Sequence, residues 1–185
     1  MGAFYVNYTI KGADRKSIIK ALSGRTAFVS PERNGYTIVF DKESDSQNQK
    51  VIAKLAAQLS TSLHRTVLTV LNHDSDIFWY QLYENGTLTD QYNSTPDYWS
   101  PKSEPAPPDG GDAQRLCTAF KCSDVAEVER ILRTSRKEYP DATNRHAHLF
   151  RVLGLPSLAV GFGFAPIAQG YLPDGLSVED LAATN

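Results

Sequence analysis

The chain has 185 residues, 41% hydrophobic and 22% charged, with 19 Lys and Arg against 21 Asp and Glu. That length suits one sizeable domain, or a domain with a smaller appendage, and a formal charge of −2 gives no field that would draw it to nucleic acid or anionic lipid. Basic residues are scattered, no apolar run approaches the length of a membrane span, and the opening MGAFYVNYTIKG lacks the basic stretch and apolar core of a secretory signal.

A cytoplasmic protein with no nucleic-acid or membrane partner is therefore expected. Cys117 and Cys122 are the only cysteines. Without a second pair or a nearby histidine they lack the four ligands of a zinc site, so both are read as reduced thiols on helix faces.

In chain order, AFYVNYTI (3–10) is rich in β-branched and aromatic residues and reads as a strand. Asp14 then precedes a helix with Ile18, Ile19 and Leu22 on one face, ended by Gly24. TAFVS and YTIVF are strands around PERNG, where Asn34-Gly35 supplies the positive φ angles of a tight hairpin. Asp45 or Ser46 caps a helix over residues 47–64, in which Val51, Ile52, Leu55, Leu59 and Leu63 recur every three to four residues. His64 ends that helix, and TVLTVL (66–71) is a buried strand. Asn85-Gly86 then joins IFWYQLY to TLTDQY as a second hairpin.

The stretch PKSEPAPPDGG (101–111) has four prolines and no large apolar residue, and reads as an exposed linker. It divides an α+β part (1–100) from a helical part (112–185). In the latter, DAQRLCTAF, a capping-box-like Asp124 and Glu127 start, and NRHAHLFRVLG mark helices. Gly and Pro166 leave SLAVGFGFAPIAQG ambiguous. These short amphipathic helices lack a core of their own and are expected to pack on the sheet.

The order β-α-β-β-α-β over the first hundred residues resembles the ferredoxin-like superfold, an antiparallel sheet with both helices on one face. The resemblance rests on element order and implies no activity. The extra hairpin extends that core to six strands, with one aromatic-rich sheet face left partly open.

Catalytic signatures are missing. There is no G-x-S-x-G elbow and no P-loop, and GFGF (161–164) lacks the third glycine of a dinucleotide cradle. No cofactor is expected. His146 and His148, two apart, diverge on a helix and are poor co-ligands. Arg130, Arg133 and Lys137 read as a solvated helix stripe.

Two polar stretches stand out. In NHDSD (72–76) the polar residues are turn formers. Alternatively, His73, Asp74 and Asp76 project into a cleft beneath the helical part, where they would form a metal or small-molecule site. This turn is expected at the same sheet end as the Asn34-Gly35 hairpin. In TDQYNSTPDYW (89–99), Asp90, Tyr92, Asn93, Asp97, Tyr98 and Trp99 mix carboxylates and amides with polar-tipped aromatics, a composition common on surfaces that grip a partner. The leading expectation is a non-enzymatic protein-binding module, of inhibitor, immunity or regulatory type, with a basic protein partner. A small enzyme centred on His73, Asp74 and Asp76 is the alternative, and homodimerisation through the hairpin edge is the third.

Overall fold

The computed structural model describes every residue except Met1, Lys102, Lys137 and Pro140. Its centre is an eight-stranded, wholly antiparallel open sheet ordered β7-β6-β5-β4-β1-β3-β2-β8. The strands are β1 (Tyr5–Lys11), β2 (Ala27–Val29), β3 (Tyr36–Asp41), β4 (Val67–His73), β5 (Ile77–Glu84), β6 (Thr87–Asn93), β7 (Asp109–Gly110) and β8 (Ala182–Thr184). Six α-helices accompany them among the described residues: α1 (Arg15–Ala21), α2 (Gln49–Leu63), α3 (Ala113–Phe120), α4 (Val125–Arg133), α5 (Ala142–Val152) and α6 (Phe164–Ala168).

Side chains alternate across each strand, and here both faces are buried. Val6, Tyr8 and Ile10 of β1 join Val39, Leu71 and Trp79 against α1 and α2. Tyr5 joins Phe40, Val70, Phe78, Tyr80 and Tyr92 on the other face, against Leu116, Val128, Ile131, Leu149 and Phe150 of the C-terminal helices. Helices on both sides explain why the central strands read as nearly unbroken apolar runs. Each side chain buried fully this way contributes about 1.5–3 kcal/mol. The expected open face does not exist: the aromatics that suggested it are the floor of the second core.

Two further strands exceed the expected six. In β7, the last residues of the Pro/Gly stretch pair with Tyr92 and Asn93. In β8, the C-terminus pairs with β2, and Thr184 Oγ1 accepts the Ala27 amide at 3.0 Å and donates to the Arg25 carbonyl at 2.6 Å. Neither has the length or alternation that marks a strand, because each exists only through pairing with an edge.

Local signals account for most boundaries. Asn34-Gly35 (φ 54° and 83°) and Asn85-Gly86 (φ 51° and 81°) both take the two positive φ values of a tight hairpin turn. Asp14 accepts the Ser17 amide at 3.0 Å and starts α1. The start of α2 differs from expectation. Residues 43–46 form a 3-10 turn, Gln47 is left-handed at φ 57°, and Asn48 is the cap, accepting from Lys50 at 3.0 Å. Asp45 instead accepts amides of Phe164 and Ala165, at 3.3 and 2.6 Å, and so caps α6 across the fold. Pro166 lies in the first turn of α6, where its missing N–H removes no helical bond.

At α4, Asp124 accepts the Glu127 amide at 3.0 Å, but the Glu127 carboxylate turns to Arg130 and His148 rather than back to the cap. α4 stops at Arg133, so the expected basic stripe holds only Arg130 and Arg133 on it; Lys137 lies outside the described residues. The turn after β4 was expected beside the Asn34-Gly35 hairpin. The register places them at opposite ends, because Tyr5 pairs with Asn72 while Lys11 pairs with Tyr36.

Candidate functional site

β4 and β5 are joined by Asp74 and Ser75, both with positive φ (53° and 57°), and the Asp76 amide returns to the His73 carbonyl at 2.9 Å. The turn is held from two sides. Ser75 Oγ accepts the Ala3 amide at 2.8 Å and the Ser75 amide donates to the Ala3 carbonyl at 3.2 Å. The Ser75 carbonyl accepts the Ala142 amide at 2.7 Å, beside the start of α5.

This turn separates the three residues suspected of forming a metal or small-molecule site. His73 lies on the α2 side of the sheet, not beneath the C-terminal helices, and its Nδ1 pairs with Gln47 Oε1 at 2.5 Å. Asp76 pairs instead with Arg136. Asp74 stands on the turn itself, close against Gly2, where an added Cβ would lie 2.2 Å from its Oδ1. Among the described residues, no three His, Cys, Asp or Glu side chains are grouped to hold a metal ion.

His73 is gathered into a different cluster. Phe4 stands edge-on to it with centroids 4.9 Å apart, Trp99 at 4.9 Å and Tyr98 at 5.7 Å, and Tyr98 and Trp99 are perpendicular at 4.8 Å. These edge-to-face arrangements are the favoured geometry of aromatic pairs. Tyr98 packs partly into the α1/α2 core. Partial burial, then the carboxylates of Asp76 and Asp74, push its phenol up. Trp99 remains 72% exposed and Phe4 50% exposed. Between Trp99, His73 and Gln47 runs a cleft of about 290 Å³, lined also by Leu71, Ile77, Asn93, Thr95 and Pro96.

The segment presenting Trp99 is anchored at several points. Ser94 Oγ accepts the Phe78 amide at 2.9 Å and Thr95 Oγ1 donates to the Asp76 carbonyl at 3.0 Å. Asn93 Oδ1 accepts the Thr95 amide at 2.9 Å, and Asp97 Oδ2 accepts the Ala106 amide at 2.8 Å. The exposed indole is thus carried on a tied turn rather than on a loose end.

The structure therefore brings His73, Asn93, Tyr98 and Trp99 together, with Asp74 and Asp97 nearby on the two turns. It does not bring in Asp90 or Tyr92, which face the C-terminal helices. Tyr92 is 1% exposed; its hydroxyl donates to the Leu132 carbonyl at 2.9 Å and accepts from Arg145, and burial pushes it up to about 12. Asp90 accepts from Tyr80 Oη at 2.7 Å and the Asp112 amide at 3.1 Å, yet burial still raises its pKa above the usual carboxylate value.

Phe4 and Gln47 are cluster members that sequence reasoning missed. Phe4 was legible in principle: once Tyr5 is set opposite Asn72, the preceding residue falls beside His73. Gln47 was not, because its left-handed backbone follows from a 3-10 turn with no sequence signature.

Fold and site together define an α+β, open-sheet protein with a fixed aromatic corner at one end of β4. Comparison with protein-family models, with curated proteins and with solved structures gave no match for this chain. Among the described residues, no helix is long and apolar enough to cross a membrane.

Proposed function

We propose that this chain is a non-enzymatic protein-binding module that grips a basic segment of a protein partner with the Phe4, His73, Tyr98 and Trp99 corner. Its scaffold is read as a ferredoxin-like core, on the strand order β4-β1-β3-β2 with α1 and α2 on one face, extended by the β5–β6 hairpin and by the short edge strands.

The observation that supports the reading is the 72% exposure of Trp99 on a segment held by hydrogen bonds on both sides of it. A rigid, half-supported indole loses little freedom on binding and buries much apolar area, which is why Trp is enriched among the residues that dominate interfaces. Carboxylates set the charge of the contact. Asp74 lies close enough to act on the Tyr98 phenol, Asp97 precedes Tyr98 in the chain, and neither forms an ion pair among the described residues, whereas Asp76 is already neutralised by Arg136. A Lys or Arg of the partner would find a ring face and a carboxylate together.

A photo-crosslinking side chain at position 99, introduced into the chain in lysate of its native host, tests this. The control is position 171, where Tyr171 is 67% exposed. One discrete heterologous adduct at 99 and none at 171 is expected. A symmetric adduct of two copies would replace this reading with homodimerisation, and no adduct, or the same adducts at both positions, would remove it.

A further inference from the structure

The turn between α3 and α4 closes so that the chain's two cysteines meet. After α3 ends at Phe120, Lys121 is left-handed at φ 59° and the Cys122 amide donates to the Cys117 carbonyl at 2.9 Å. A six-to-one bond with a left-handed residue just before its donor is the Schellman ending of a helix. The two residues joined by that bond commonly make a hydrophobic side-chain contact. Here both are cysteine. Standard bond lengths on either side of that hydrogen bond leave their Cα atoms at most roughly 7 Å apart, within reach of the span a disulfide bridges.

The two thiols differ in setting. Cys117 is 2% exposed, in the core beside Leu116 and Phe120, while Cys122 is half-buried at its margin. Burial first, and then the neighbouring Cys122 thiol, push the Cys117 thiol up. The Asp124 amide, at the start of α4, donates to Cys122 Sγ at 3.3 Å. A half-buried cysteine and a protected one thus share a single helix ending, a pairing that suits an attacking and a resolving cysteine.

We propose that Cys117 and Cys122 form a redox-active dithiol that hydrogen peroxide converts into an intramolecular disulfide. The Cys122 thiol loses its proton and the thiolate attacks one peroxide oxygen; the O–O bond breaks, the leaving hydroxide takes up that proton as water, and Cys122 becomes a sulfenic acid. The Cys117 sulfur then attacks the Cys122 sulfur. The S–O bond breaks as the S–S bond forms, and the oxygen departs as water with the proton of the Cys117 thiol. Two thiols lose two electrons, one peroxide gains them, and two waters result. The product locks the α3–α4 turn closed, independently of whatever occupies the Trp99 corner.

The full-length reduced chain, treated with a few equivalents of hydrogen peroxide, is followed by intact mass and thiol titration. The expected product is a monomer lighter by two hydrogens that has lost both thiols in step and regains both with dithiothreitol. In Cys117→Ser the second step is blocked, so dimedone should trap a sulfenic acid on Cys122; Cys122→Ser should leave Cys117 unmodified. If Cys117→Ser does not fold, the wild-type masses alone decide. Oxygen added to Cys122 while Cys117 still titrates, a disulfide between two chains, or no reaction would each overturn the proposal.

Discussion

His146 is fully buried between three aromatic rings, stacked on Phe78 and Tyr5 and edge-on to Phe150 at 4.1 Å. Its Nδ1 pairs with Tyr5 Oη at 2.8 Å, and its Nε2 has no hydrogen-bond partner. Nothing there can receive a charge, so burial lowers its pKa to about 3. The unfolded chain takes up this proton near pH 6.5, whereas the folded chain refuses it until far lower. The stability His146 contributes is therefore complete above about pH 6.5 and is lost as the pH falls toward the folded value. Between pH 6.5 and 5 the loss amounts to about 1.6 kcal/mol. His146→Phe, which keeps the ring packing and carries no titrating group, removes that component, while Tyr5 Oη still accepts from Asn72 Nδ2 at 3.2 Å. Urea unfolding at both pH values is expected to show a flatter profile in the variant; parallel profiles would mean that His146 titrates alike in both states. Arg145 is also deeply buried, 1% exposed, but satisfied by the Ile131 and Thr134 carbonyls, Tyr92 Oη and the face of Tyr139.

At the scale of elements, a comparison of two glycines separates backbone conformation from close approach. Gly35 has φ +83° and open space where a Cβ would go, so Gly35→Ala costs about 1 kcal/mol, the left-handed penalty alone. Gly110, at φ +71°, would put a Cβ 2.2 Å from the Gln91 carbonyl, the acceptor of the Gly111 amide at 2.7 Å. Gly110→Ala must therefore shift β7 away from β6 as well. Denaturant midpoints should fall further for Gly110→Ala, with faster hydrogen exchange at the Gly111 amide; equal losses would show that β7 has slack to give. The same contrast explains what the sequence could reveal. Asn-Gly turns, the Asp14 cap and the α2 stripe state their structure locally, and each appears where expected. β7, β8 and the 3-10 turn before α2 depend on partners far along the chain, and no local pattern encodes them.

Across the whole molecule, a sheet rich in Tyr, Phe and Trp does not leave the partly open face that its composition suggests. Aromatic content does not distinguish a ring that meets solvent from one that meets a second helical layer, and Tyr5, Tyr80 and Tyr92 meet the latter. Face assignment needs the register, which also divides the candidate site. Asn93 and Trp99 lie with His73, while Asp90 and Tyr92 lie across the sheet. With both faces covered, large apolar groups reach solvent at few places, and two of them, Phe4 and Trp99, meet around His73. An indole this exposed holds up little of the fold, so Trp99→Ala should change unfolding free energy by no more than about 0.5 kcal/mol.

The direct measurement is therefore the affinity of the partner captured at position 99 for the wild-type chain and for Trp99→Ala, under conditions where both are fully folded. A central anchoring residue contributes about 2 kcal/mol or more to binding, so the dissociation constant is expected to rise roughly thirtyfold or more. Equal affinity for the two chains would contradict the account, because an anchor that can be removed without loss is not gripping anything.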